Sequence, residues 1–196
     1  MQALLALSRL IDRMNEHIGR AVYWLVLAAV LLSAGNAIVR KIFSVSSNAY
    51  LEAQWYLFSA VFLLCAGYTL LRNEHVRIDI LVGKLSAKAQ AWVDIFGTVL
   101  FLLPMATLIM WLSWSYFVRA YTQNEISGSA GGLTIWPARL LLPVGFALLV
   151  LQGVSELIKR VAFVTGRGPD PIVRHDPAEA ERALAEEIRK IAEGKA

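Results

Sequence analysis

Four stretches of this chain, residues 21–39, 53–71, 95–118 and 140–155, contain no Asp, Glu, Lys or Arg and are separated by polar segments. A hydrocarbon core about 30 Å thick takes roughly 20 apolar residues of helix. The pattern therefore predicts an all-α integral membrane protein of four transmembrane helices, a 21–158 domain with spans at about 21–39, 53–71, 94–117 and 137–158. Ahead of the first span, Leu4, Leu7, Ile11, Met14 and Ile18 recur at intervals of three and four, which puts them on one helical face. Arg9, Asp12, Arg13, Glu16 and Arg20 fill the remainder. Residues 1–20 are read as an amphipathic arm lying in the membrane interface, with packing on a soluble partner as the alternative. Beyond the last span, Gly166, Gly168, Pro169 and Pro171 mark a linker within the 159–196 tail. Asp176-Pro177 then supplies an N-cap and a first-turn proline, with Glu179 completing a capping box. Leu184, Ile188 and Ile191 follow on one face, which predicts a cytoplasmic C-terminal helix.

Charge sets the expected orientation. Of the 19 lysines and arginines, fifteen fall in the arm, the second connection and the tail, and four in the other two connections. Short basic segments stay in the cytoplasm, so both termini are expected inside, with loops 40–52 and 119–138 outside. Trp24, Trp55, Trp92, Trp111, Trp114 and Trp136 lie near span ends, where indole prefers the headgroup region. The first apolar run is longer than the ~7–15-residue core of a signal peptide, and no small-x-small site follows it, so it is read as a retained helix.

Composition removes several classes. The chain is 57% hydrophobic and 17% charged, against roughly 45–50% and 25% in soluble domains. The single cysteine, Cys65, lies inside a span and excludes an intrachain disulfide or a cysteine metal cluster. His17, His75 and His175 all lie outside the apolar runs, where they cannot ligate a membrane-embedded bis-histidine haem. No phosphate-cradling loop, HExxH or nucleophile elbow occurs, so no catalytic residue, metal or cofactor is assigned. The basic residues flank apolar runs and form no aromatic-interleaved patch, which argues against nucleic acid.

The polar groups near the membrane are few. Glu52 and Asp94 precede spans, Arg139 opens the fourth and Glu156 closes it, all within snorkelling reach of an interface. Ser33, Asn36, Ser59, Thr69, Thr98, Thr107 and Gln152 read as interhelical hydrogen-bonding groups. A proton or ion pump requires acids or histidines at mid-membrane. Their absence from the four runs argues against transport by this chain alone. Pro104 and Pro143 are read as fixed helix curvature. The string Arg72-Asn73-Glu74-His75-Val76-Arg77-Ile78-Asp79 is the densest polar cluster. It has two readings: topology control by Arg72 and Arg77 with Glu74 and Asp79 as counter-ions, or a hydrogen-bonded staple that fixes the second and third helices or docks a partner helix.

Three stretches together resemble the small membrane subunit of tripartite ATP-independent periplasmic (TRAP) transporters, the DctQ family. They are Glu52-Ala53-Gln54-Trp55-Tyr56-Leu57-Phe58, then Glu74-His75-Val76-Arg77-Ile78-Asp79, and finally Ser127 through Trp136-Pro137 and Leu142-Pro143-Val144-Gly145-Phe146 to Leu151-Gln152-Gly153. The resemblance covers about residues 10–165. It implies a four-helix scaffold in the bacterial inner membrane, beside a large elevator-type subunit that moves an organic acid or related solute with sodium. A periplasmic solute-binding protein would deliver that solute, and membrane lipids would surround the assembly. The resemblance makes Glu52 and Trp55 anchors of the second helix, and His75, Arg77 and Asp79 organisers of the cytoplasmic turn. Arg72, Trp136, Pro137, Gln152 and Glu156 join these as structural or subunit-interface candidates. Arg40, Lys41, Glu52, Arg119 and Glu125 are the charges available for docking the binding protein. The small subunit of a tripartite tricarboxylate-type transporter and a membrane assembly factor are the competing readings.

Overall fold

A computed structural model describes residues 1–44, 47–73 and 85–169 of the chain. It contains four helices long and apolar enough to cross a membrane: α1 (Gln2–Phe43), α2 (Asn48–Leu71), α3 (Ala87–Thr122) and α4 (Trp136–Val164). Among the described residues no strand is formed, and one isolated bridge pairs Ile126 with Thr134. The expected C-terminal helix lies outside the described residues.

The arm and the first span are one helix. α1 runs for 42 residues, about 63 Å at 1.5 Å per residue and twice the hydrocarbon thickness. No proline or capping residue interrupts it near residue 20, and it ends where Ser44 turns left-handed (φ 54°). Its buried residues are Ser8, Ile11, Asn15, Gly19 and Val22. That face shares Ile11 with the stripe the periodicity singled out but is otherwise rotated from it, and Leu4 and Leu7 remain exposed.

α4 is the central element. It packs against α1, α2 and α3, whereas α3 has α4 as its principal partner. Its apolar window is 39% buried, against 6% for those of α1 and α3. The four helices thus form an open array around α4, with most of α1 and α3 turned outward. Large exposed side chains such as Phe101, Trp111 and Leu112 on α3, and Leu27, Leu31 and Ile38 on α1, are suited to lipid or another subunit.

Small residues set the helix separations, as membrane helices require where packing replaces the hydrophobic drive. A Cβ on Gly145 of α4 would lie 2.8 Å from the Leu63 backbone oxygen of α2, and one on Gly67 would lie 2.4 Å from Asn15 Oδ1. α3 carries a π-helical turn at Thr98–Leu102, closed by the Leu103 N–H donating to the Thr98 carbonyl. Its cause is Pro104, which has no N–H and whose ring would strike the carbonyl four residues back in a regular helix. The wider turn is where Leu102 and Leu103 meet Gly153 of α4.

Candidate functional site

Two polar clusters stand at opposite ends of the array. Along α2, Glu52 and Arg72 are 20 residues apart, about 30 Å, which equals the hydrocarbon thickness.

The first cluster joins α2 to the α3–α4 loop. The Leu133 N–H donates to Glu52 Oε2 at 2.7 Å, and the Ser127 hydroxyl donates to Glu52 Oε1. Asn48 Nδ2 donates to the Ala130 carbonyl and the Tyr56 hydroxyl to the Thr134 carbonyl, each at 3.1 Å. Within the loop, the Ser127 N–H meets the Leu133 carbonyl at 2.9 Å and the Ile135 N–H meets the Glu125 carbonyl at 3.0 Å. The Glu125 carboxylate takes a two-pronged contact from Arg139, 2.7 Å at Nη2, and the guanidinium lies 3.8 Å from the centre of the Tyr116 ring. Trp136 begins α4 with Pro137 in its first turn, a position where the missing N–H has no helical partner to lose. The indole packs edge-on against Tyr121 of α3, with ring centres 5.5 Å apart.

The second cluster lies where the α1 arm crosses the far half of α4. Asp12 Oδ1 accepts from Ser155 Oγ at 2.6 Å and from Gln152 Nε2 at 2.9 Å, and Lys159 Nζ reaches Oδ2 at 3.2 Å. Because the Ser155 proton is committed to the carboxylate, the 2.7 Å contact between the Ser8 and Ser155 hydroxyls has Ser8 donating. Gln152 Oε1 accepts from Asn15 Nδ2 at 2.9 Å, and Gln152 Nε2 also reaches Glu156 Oε1 at 3.1 Å. Lys159 bridges Asp12 and Glu156, the latter at 2.5 Å. Gln152 and Asn15 are fully buried and Glu156 nearly so. Asn15 Oδ1 has no hydrogen-bond partner and sits over the Cα of Gly67, where only glycine leaves it room. Next to this cluster, Arg160 pairs with Asp94 of α3, and Glu16 pairs with Arg72 at 2.6 Å and Arg20 at 3.0 Å. Arg72 also lies 5.4 Å from the centre of the Tyr68 ring.

The sequence-selected residues divide accordingly. Gln152 and Glu156 belong to the arm clasp, Glu52 and Glu125 to the loop clasp, and Arg72 finds its counter-ion in Glu16 of α1. Asp94, Arg139 and Glu156, read as snorkelling groups, are instead paired within the protein. Trp55 is exposed beside α1, and Arg40, Lys41 and Arg119 are exposed. His75, Arg77 and Asp79 lie outside the described residues.

Sequence reasoning missed Ser8, Asp12, Asn15, Ser155 and Lys159. The signal was present in two places: Ser8, Ile11, Asn15, Gly19 and Val22 at spacings of 3, 4, 4 and 3, and Gln152, Ser155, Glu156 and Lys159 on one face of α4. The adjacent leucine stripe was the stronger pattern and masked the first.

Among the described residues no cluster of three or more His, Cys, Asp or Glu could hold a metal ion. The helices and their clasped ends define a multi-pass membrane component whose polar chemistry is interhelical. Residues 29–163 match the model of the DctQ component of tripartite ATP-independent periplasmic transporters, and the chain belongs to that family. The matched region includes the α4 half of the arm clasp, while Ser8, Asp12 and Asn15 precede it. No curated protein and no solved structure matches the chain.

Proposed function

We propose that this chain is the small scaffold subunit of a binding-protein-dependent secondary transporter in the bacterial inner membrane, with both termini cytoplasmic. In this reading a large elevator-type subunit carries an organic acid or related solute inward with sodium, and the present chain braces that subunit's static part. The observation that carries the reading is the placement of ionic groups. The four spans hold none at their centres, and the acidic groups beside them, Asp12, Glu52, Asp94, Glu125 and Glu156, are engaged in joining helices and loops. A substrate path needs polar groups open to solute. The outward faces of α1 and α3 would meet the large subunit and lipid.

The binding protein would dock on the α3–α4 loop. Glu52 and Glu125 then act by holding that loop's shape, while Arg119 is the exposed charge beside it. Arg40 and Lys41 open onto a groove between α1 and α2.

Three measurements test this. A tagged copy should retain a large multi-span partner in mild detergent, and vesicles holding this chain alone should accumulate no solute. Accumulation by the chain alone would overturn the scaffold role. In vesicles containing all three components, Glu52→Ala should raise the binding-protein concentration for half-maximal uptake roughly tenfold, the factor that about 1.4 kcal/mol of lost loop order gives. An unchanged concentration dependence would place docking elsewhere.

A further inference from the structure

The halves of α1 and α2 nearest their connection border two open cavities that share lining residues. One, of about 570 Å³, is walled mainly by apolar side chains, Val26, Val30, Phe58 and Val61 among them. The other, of about 420 Å³, is lined by Asn36, Arg40, Lys41 and Gln54, and the two share Ser33 and Gln54. Together they make one amphipathic groove with an oily floor and a basic mouth. Arg40 and Lys41 form no ion pair with any described residue, although every acidic side chain in the two clasps is engaged.

Length identifies the class of occupant. From Val26 to Arg40 the helix rises about 21 Å. Half a bilayer, headgroups included, is about 20–22 Å thick. The groove therefore spans one leaflet, with its cations at headgroup level and its apolar walls at chain level. A small hydrophilic solute would gain nothing from the apolar walls, and an apolar helix from another subunit would bring no counter-charge to the mouth. We infer that this groove binds one anionic phospholipid, its phosphate held by Arg40 and Lys41 with Asn36 and Gln54 as amide donors, and one acyl chain laid between α1 and α2. Such a lipid would fill the gap left between the two helices away from their close contacts at Gly19, Gly67 and Tyr68. The inference does not depend on the transport reading, since it concerns this chain and lipid alone.

The test uses the full-length chain in neutral detergent, titrated with palmitoyl-oleoyl phosphatidylglycerol or phosphatidylcholine and read by native mass spectrometry. The wild type should hold one phosphatidylglycerol in preference to phosphatidylcholine. Replacing both Arg40→Gln and Lys41→Gln should weaken phosphatidylglycerol at least tenfold and abolish the preference. Ala29→Phe, which fills the groove and leaves both cations, should weaken both lipids. The charge-conserving pair Arg40→Lys and Lys41→Arg should keep the adduct, and it guards against misreading a folding defect. Equal retention of both lipids by the wild type and every variant would mean annular contact only and would overturn the proposal. So would a disulfide or cross-link from Val30→Cys to a helix of the large subunit in native membranes.

Discussion

Gln152→Leu is expected to lower the unfolding free energy of this chain in detergent by about 2–4 kcal/mol, the largest effect of any single polar replacement here. The substitution is close in volume, so it creates little cavity. Its effect would come from what it leaves behind: Asn15 Nδ2 loses its side-chain acceptor in a fully buried position, and Asp12 and Glu156 lose the amide donor they share. An isolated interhelical hydrogen bond within a membrane averages only about 0.6 kcal/mol in double-mutant cycles. The two magnitudes separate a desolvated network from an ordinary contact. A cycle pairing Gln152→Leu with Asn15→Leu should return strong coupling, because replacing both partners removes the orphaned donor. A loss under about 1 kcal/mol, with no coupling, would show that the arm does not depend on this amide. The same variants should also detach the arm from α4, read as faster amide exchange in residues 2–20 while the spans stay protected.

Gly145→Leu is expected to cost about 3 kcal/mol, the upper part of the range for overpacking. Its Cβ alone would sit 2.8 Å from both the Cβ and the backbone oxygen of Leu63. A backbone oxygen cannot rotate away, so α2 and α4 must separate. Since α4 is the element on which the others assemble, the separation would propagate to the loop clasp at one end and the arm clasp at the other. Gly35→Leu is the internal control: nothing lies within 4 Å of that position, and the variant should be tolerated or slightly stabilising through helix propensity. Equal melting temperatures for the two leucine variants would contradict the close approach of α2 and α4. A scaffold role adds a second readout, loss of co-purified large subunit for Gly145→Leu alone.

How much of this was open to sequence reasoning follows from the kind of information each feature carries. The four spans required only length and the exclusion of charge from hydrocarbon, both properties of single segments. The family resemblance drew on three strings, of which Glu74–Asp79 lies outside the described residues, while the structure explains the local chemistry of Glu52–Phe58 and Trp136–Pro137. One is a carboxylate holding a loop, the other an indole and a first-turn proline fixing the start of α4. The arm carried a second pattern that periodicity did not bring out. Leu4 and Leu7 gave the louder periodic signal, yet the face that packs is Ser8, Asn15 and Gly19. In a membrane protein burial inside the protein is no longer reported by hydrophobicity, because lipid-facing positions are apolar as well.

The sequence by itself determined the number and approximate position of the membrane-spanning segments and the exclusion of ionic groups from their centres. Its charge bias set the expected orientation, for every peptide group in hydrocarbon must be satisfied within its own helix and every charge must find water or a partner. The tertiary structure alone decided which partner. Asp12 with Lys159, Glu16 with Arg72, Asp94 with Arg160 and Glu52 with the Leu133 N–H are separated by up to 147 residues along the chain. Each pairing depends on which helix lies beside which and on their relative rotation. That arrangement is fixed by close contacts at Gly67, Gly145 and Gly153, where the absence of a side chain is informative only once the neighbouring backbone is in view.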